Sequence, residues 1–302
     1  MRRTAALICA AAAACVLAAC SGTEHAGTEH AATGQPVVVA STDVWGSVAG
    51  AVAAGDARVT SIVNGQIDPH SYEPSPAAVA QIEDASLAVY NGGGYDAWFD
   101  DVLDRYPDVA AVDAFALLKE AEPDSGTPNE HVFYDVATAK AVAKRVSEVL
   151  AARDTAHADG YRSRAADFGR RADALLERQR DLRVAFRGAA VVATEPVAHY
   201  LLLAAGLTDR TPEGFTNSIE QDSDPSPADM AAVLDLINGR QVSVLIVNEQ
   251  TLTGASRQVR DAALAAGVPI VSVTETLPAG TDYLSWQSGT TDRLAAALRE
   301  SR

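Results

Sequence analysis

His70, His131, Glu195 and Glu275 are the residues of this sequence whose types and positions best suit chemistry. His70 lies in the stretch Asp68-Pro69-His70-Ser71-Tyr72-Glu73-Pro74-Ser75-Pro76, after an apolar run ending at Val63. His131 lies in Asn129-Glu130-His131-Val132-Phe133-Tyr134-Asp135, just ahead of a helical pattern. Glu195 directly follows the strand-like run 189–194, and Glu275 directly follows the run 270–274. Ligands of open α/β sheets bind beyond the carboxyl ends of the strands, so two imidazoles and two carboxylates could meet in one cleft. Two neutral imidazoles and two carboxylates carry the charge that cancels a divalent cation, and an uncompensated ion in a low-dielectric cleft is costly. The N/O donor set suits Zn²⁺, Mn²⁺ or Fe²⁺, while the lack of a nearby thiol disfavours Cu(I). The same residues have a plainer reading. Each carboxylate could cap the helix that follows it, and each histidine could hydrogen-bond its own loop.

Other polar residues have simpler roles. His199 stands four residues after Glu195 on a predicted helix, where packing or capping accounts for it. His157 opens a charged helix and reads as surface, and His25 and His30 fall in a polar spacer. Trp45, Trp98 and Trp286 read as core or cleft wall. Gly92-Gly93-Gly94 lacks both the spacing and the following acid of a dinucleotide fingerprint. The acidic run Glu220-Gln221-Asp222-Ser223-Asp224 reads as a solvated loop.

Positioning the four residues requires a framework, and the pattern supplies one. Strand-like runs at 37–40, 59–63, 87–90 and 110–113 alternate with helical stretches at 44–54, 76–85 and 135–150. The second half repeats the style, with strands at 189–194, 242–248 and 270–274 and helices at 196–205, 227–237, 256–266 and 291–300. Such alternation calls for parallel sheets with helical crossovers. Between the halves, 156–186 carries apolar residues at Tyr161, Ala165, Phe168, Ala172, Leu175, Leu182 and Phe186, with charge filling most of the other face. This is one amphipathic helix of roughly 45 Å, capped by Asp154 or Thr155. The fold class is therefore α/β: two lobes, each a mostly parallel sheet with flanking helices, joined by one long rigid helix, with a ligand site in the interlobe cleft.

The chain has 302 residues, 48% apolar and 21% charged, which excludes disorder as its main state. Its formal net charge of −16 argues against a nucleic-acid partner, which needs a basic face. All three cysteines, Cys9, Cys15 and Cys20, lie near the N-terminus. Arg2 and Arg3 precede the short apolar run 5–19, which ends in Leu17-Ala18-Ala19-Cys20-Ser21 and looks like a bacterial lipobox. Cleavage before Cys20 would leave that residue lipidated, a body without thiols and a net charge of −18. The expected organisation is a signal peptide over 1–19, lipidated Cys20 and a flexible tether over 20–35, an N-terminal lobe over 36–153, a linking helix over 154–187 and a C-terminal lobe over 188–302.

The loop Asp68-Pro69-His70-Ser71-Tyr72-Glu73-Pro74 resembles the D-P-H-x-Y-E-P signature of the cluster A-I metal-binding lipoproteins, which serve zinc and manganese ABC transporters. Leu87-Ala88-Val89-Tyr90-Asn91-Gly92, His131-Val132-Phe133-Tyr134-Asp135, Thr194-Glu195-Pro196, Pro225-Ser226-Pro227 and Gly267-Val268-Pro269-Ile270 are also similar to family segments, in order. The resemblance implies His70, His131, Glu195 and Glu275 as the metal ligands, with Asp282 in reserve for the fourth. It also implies the two-lobed fold with a long central helix. Three positions depart from the pattern. Glu130 replaces the usual proline before the second histidine, Glu195 stands where many zinc members have histidine and looks manganese-type, and Glu275 is longer than the usual aspartate. The histidine-rich loop of some zinc importers is absent, since 120–130 contains no histidine.

The leading functional expectation is a monomeric, extracytoplasmic, lipid-anchored receptor, not an enzyme. It would take Zn²⁺ or Mn²⁺, with Fe²⁺ third, to an ABC permease and its ATPase. A metallohydrolase could use the same ligand types, but there is no His-Glu-x-x-His pair and no evident base beside the ligands. A metal-binding surface adhesin is a third reading. A rigid connecting helix implies small lobe movements on binding.

Overall fold

The computed structural model describes residues 34–65, 67, 69–121, 129–221 and 223–301. The signal segment, Cys20, most of the tether, Asp68 and the stretch 122–128 lie outside the described residues. Eight strands form two four-stranded sheets. The first contains β1 (Val37–Thr42), β2 (Arg58–Val63), β3 (Leu87–Tyr90) and β4 (Ala111–Asp113), in the order β2-β1-β3-β4. The second contains β5 (Ala190–Ala193), β6 (Thr208–Asp209), β7 (Val244–Asn248) and β8 (Ile270–Val273), in the order β6-β5-β7-β8. All neighbours are parallel, with Ala40 opposite Val89 in one sheet and Ala193 opposite Ile246 in the other. Of the central strands, β3 and β7 are buried throughout, as expected of parallel strands covered on two faces. The winding reverses between β1 and β3 and again between β5 and β7, which opens a crevice at the carboxyl end of each sheet.

Eleven α-helices cover the sheets among the described residues: α1 (Asp43–Ala53), α2 (Pro76–Glu83), α3 (Ala97–Leu103), α4 (Ala114–Ala121), α5 (Val136–Arg153), α6 (Ala158–Phe186), α7 (His199–Ala204), α8 (Glu213–Glu220), α9 (Pro227–Asn238), α10 (Gly254–Ala266) and α11 (Tyr283–Glu300). Their starts follow local chemistry. Ser75, Asp135 and Thr253 accept hydrogen bonds from first-turn amides of α2, α5 and α10. The sequence pattern did not anticipate α3, α4, α8 or β6. The first three are at most eight residues long, and β6 is a two-residue Thr-Asp pair defined only by its partner β5.

The long helix α6 buries Tyr161, Phe168, Ala172, Leu175, Leu182 and Phe186 along one stripe. Its charged face is also anchored. The Arg164 guanidinium donates to the Val52 and Ala53 carbonyls at the end of α1 and pairs with Asp56 at 2.7 Å. Lys140 of α5 pairs with Asp173, and Arg178 reaches Ser288 and Asp292 of α11. Helix α11 begins two turns earlier than the pattern indicates and reaches back to the first half. The Tyr283 hydroxyl and the Gln287 amide both donate to the Phe133 carbonyl, and the Tyr283 amide donates to Ser47. The largest apolar cluster accordingly runs without a break through β1, α1, α5, α6, α11, β5, β7 and β8. The outer face of each sheet has its own smaller core.

Candidate metal centre

His70, His131, Glu195 and Glu275 line one cavity of about 90 Å³, together with Glu130, Pro196, Glu220 and Thr251. That volume suits an ion with a few waters and falls well short of the roughly 300–1,000 Å³ of organic-ligand pockets. His70 follows β2, His131 follows α4 and precedes α5, Glu195 follows β5, and Glu275 follows β8. Neither carboxylate caps the helix after it: both side chains turn into the cavity instead.

His131 is 3% exposed and tightly held. Asn129 Oδ1 accepts from both the His131 backbone amide at 2.9 Å and ring Nδ1 at 3.0 Å. A backbone N–H can only donate, so that atom is an acceptor and Nδ1 carries the ring proton. Nε2 is left with a lone pair, 3.8 Å from Glu275 Oε2. Two acceptors thus face each other. The segment is fixed from both sides, since Asn91 donates to the Glu130 carbonyl at 2.8 Å and the Tyr200 hydroxyl to the Asn129 carbonyl at 2.6 Å. Asn91 is held in turn by the buried Asp96 carboxylate, which accepts from the amides of Asn91 and Gly92. Gly92 has φ +73°, and a Cβ there would lie 2.3 Å from Asp113, so the three glycines serve a tight turn.

The two carboxylates share one clamp. Asn248, the last residue of β7, donates its amide to Glu195 Oε2 at 2.6 Å and to Glu275 Oε1 at 2.7 Å. Its own Oδ1 accepts from the Gln250 amide, which fixes the orientation of the group. Thr251 donates to Glu195 Oε1, Tyr95 to Glu275 Oε2 at 3.1 Å, and the Glu275 amide to Gln250. Such outer partners orient the inner groups and leave their remaining lone pairs directed at the cavity.

His70 is the most open of the four, at 36% exposed. Its Nε2 lies 3.4 Å from Glu275 Oε2 and its Nδ1 3.8 Å from Glu130 Oε1. Its ring stands edge-on to Tyr95 and to His131, with centroids 4.5 and 5.6 Å apart. The loop is tied to the opposite half upstream, where the Gly65 carbonyl accepts from Gln250 at 3.1 Å and from Thr276.

Burial sets the charge states. It takes His131 down to about 4 despite the nearby Glu275 carboxylate, so the imidazole is neutral at pH 7. It pushes Glu195 up to about 7, against the lowering effect of Thr251 and Asn248. Burial would raise Glu275 too, but His70, His131 and Asn248 together outweigh it and hold that carboxyl below its ordinary value. Burial also raises Glu130 and Glu220, with Glu275 adding to the effect on the first and Glu130 to that on the second. No Lys or Arg lines the cavity among the described residues. Crowded acceptors with no protein cation are what a divalent ion would neutralise.

The remaining sequence candidates lie elsewhere. Asp282 does not line the cavity; it caps α11, accepting from the Ser285 amide at 2.7 Å, and is 55% exposed. His199 opens α7 against Tyr200, and His157 pairs with Asp154 at the surface. Trp45 and Trp286 are core residues, and Trp98 packs beside Tyr72 and Phe99. One reading is corrected. Glu220 is not part of a solvated loop: it ends α8 and lines the cavity beside Ile219, with Phe215 and Ile219 buried to hold that helix in place. Sequence reasoning also passed over Asn248, Thr251 and Tyr95, and took Glu130 only as a departure from the family pattern. Asn248 carried a usable signal, as a polar residue ending an otherwise apolar strand beside the switch point.

Comparison with known proteins gives a consistent picture. A family model described as zinc-uptake complex component A, periplasmic, matches residues 38–297. The zinc-binding lipoprotein AdcA of Streptococcus pneumoniae is 25% identical over 255 residues, which are 78% of this chain and 50% of AdcA, so the chain spans about half of that relative. The manganese ABC transporter substrate-binding lipoprotein PsaA of Streptococcus anginosus is 22% identical over 286 residues, covering 88% of this chain and 90% of PsaA. Among solved structures, the periplasmic zinc binding protein TroA from Treponema pallidum superposes with a TM-score of 0.75 at 20% identity. The superposition covers 88% of this chain and 99% of TroA, and it is a likeness of fold.

Proposed function

The chain belongs to the family of periplasmic zinc-uptake component A proteins, and from that premise we propose that it captures a divalent transition metal, Zn²⁺ or Mn²⁺, outside the cytoplasmic membrane. It holds the ion with His70, His131, Glu195 and Glu275 and hands it to an ABC permease powered by its ATPase. Lipidated Cys20 anchors it, and it acts as a monomeric binding protein, not an enzyme. The observation that supports this reading most is the convergence of a bare His131 Nε2, His70 and two carboxylates held by Asn248 on a cavity of ion size. Names of relatives that include zinc-binding and manganese-transporting lipoproteins point the same way.

Two imidazoles and two carboxylates cancel a double positive charge, so the loaded site is neutral and the ion can leave its waters without stranding charge. Four protein groups would close the coordination shell and leave no open position for catalysis. Zn²⁺ outcompetes Mn²⁺ at almost any N/O site, so choice between them in the cell rests on supply and geometry. Demetallated protein titrated with Zn²⁺ and Mn²⁺ against a competing chelator tests the reading. One equivalent of either ion is expected, with affinity collapsing in His70→Ala and Glu195→Ala. Unchanged affinity in both variants would refute it.

A further inference from the structure

Four ligands leave Glu130 and Glu220 without a role, yet both face the cavity. His131 belongs to two trios of donor residues. One is His70, His131 and Glu275; the other is Glu130, His131 and Glu220; in each trio the donor atoms lie within 4.8 Å of one another. The trios differ in depth. Glu220 is exposed and Glu130 is 30% exposed, whereas His131 and Glu275 are 3% and 2% exposed.

We infer that Glu130 and Glu220 form an outer station for the entering divalent cation, which passes through His131 to the inner residues. The inference rests on the metal-binding reading above. His131 Nδ1 keeps its proton and donates it in a hydrogen bond to Asn129 Oδ1, so Nε2 has the ring's one free lone pair, and no described residue donates a hydrogen bond to it. His131 is common to both trios, and its one buried lone pair cannot serve two ions at once. The trios are therefore successive positions on one route, and they do not form two independent sites.

The placement of Glu220 supports this. It is the final residue of α8, where the carbonyl end of a helix disfavours an anion, and it stands near a second carboxylate with no Lys or Arg lining the cavity among the described residues. A carboxylate pair in that setting is costly when empty and is relieved by a passing cation. Carboxylates at an entrance also concentrate cations and speed association.

Stopped-flow competition for Zn²⁺ between the metal-free full chain and a fluorescent chelator tests the route. Glu220→Gln and Glu130→Gln should each slow association by roughly 3- to 10-fold, a part of what focused fields can add. Dissociation should slow in step, so that equilibrium affinity moves by less than about twofold. Glu213→Gln, which removes the same charge from the exposed start of α8, should leave the rate unchanged. An unchanged association rate in Glu220→Gln and Glu130→Gln would overturn the inference. So would weaker affinity at an unchanged association rate, or a second equivalent of Zn²⁺ bound by the wild type. A wild type that binds neither Zn²⁺ nor Mn²⁺ would instead defeat the metal-binding reading itself.

Discussion

The two histidines of the centre are held in opposite ways. His131 is buried, with its tautomer set by Asn129 and its backbone pinned by Asn91 and Tyr200. His70 stands more than a third exposed at the cavity edge, with Glu275 and Glu130 beside it from opposite sides of the cleft. The contrast teaches that the site has a firmly braced part and a more open one. Neighbouring side chains hold His131 and the two carboxylates by hydrogen bonds, while His70 joins them from a loop. The unbroken core beneath them, with α6 anchored to α1, α5 and α11, makes local loop ordering cheaper than wide hinge closure.

The contrast can be broken at several points, and the largest effect is expected at the histidines themselves. His131→Ala should lower metal affinity well beyond the roughly 10–100-fold typical of outer-shell changes, and it should also lower the melting temperature of the metal-free protein. His70→Ala should weaken binding comparably but lower the metal-free melting temperature by less, since its ring is more than a third exposed. Equal thermal effects would erase the distinction between a braced part and an open one.

Asn248→Ala comes next. It removes the amide that clamps Glu195 and Glu275, and should weaken metal binding by about 10- to 100-fold, as outer-shell losses do. Chelator competition would read this directly, and a change under twofold would mean the carboxylates orient themselves.

The pH dependence sharpens the same division. With Glu195 near 7 and His131 near 4, metal binding at pH 6 expels a proton from the carboxyl and none from the imidazole. Affinity should fall about tenfold per unit through Glu195 as pH drops below 7, and Glu195→Gln should remove that portion. Calorimetry in buffers of different ionisation enthalpy counts the proton. The stability of the metal-free fold follows with the sign set by each shift. The raised Glu195 contributes stability that is present below its ordinary 4.5 and lost as pH rises through about 7. The lowered His131 contributes stability that is present above its ordinary 6.5 and lost as pH falls through about 4. Through Glu195, the gain in melting temperature on adding metal should be larger at pH 8 than at pH 5.5.

The smallest expected effect on binding is at Asp282. Asp282→Ala should cost about 0.5–2 kcal/mol of stability through the lost cap of α11 and leave metal affinity unchanged. A loss of affinity would return Asp282 to the ligand set.

The framework was legible because parallel strands covered on both faces must be continuously apolar, as Leu87–Tyr90 and most of Val244–Asn248 are. The amphipathic stripe of α6 was legible for the same reason, since burial imposes its period on the sequence. Glu195 and Glu275 could be picked out because strand ends face the crevice. What stayed hidden depends on tertiary contact. Asn248 reads as the end of a strand until two acids are seen on its amide, and Glu220 reads as surface charge until α8 is seen to end at the cavity. The place of Asp282 and the early start of α11 are one observation, because the residue held in reserve as a ligand is the cap that begins the helix.

The most direct test of the centre is anomalous diffraction at the metal edge from crystals grown with one equivalent of Zn²⁺ or of Mn²⁺. The account predicts a single strong peak bounded by His70, His131, Glu195 and Glu275, with Asn248 on the two carboxylates. A peak outside that cavity, or none at full stoichiometry, would contradict it.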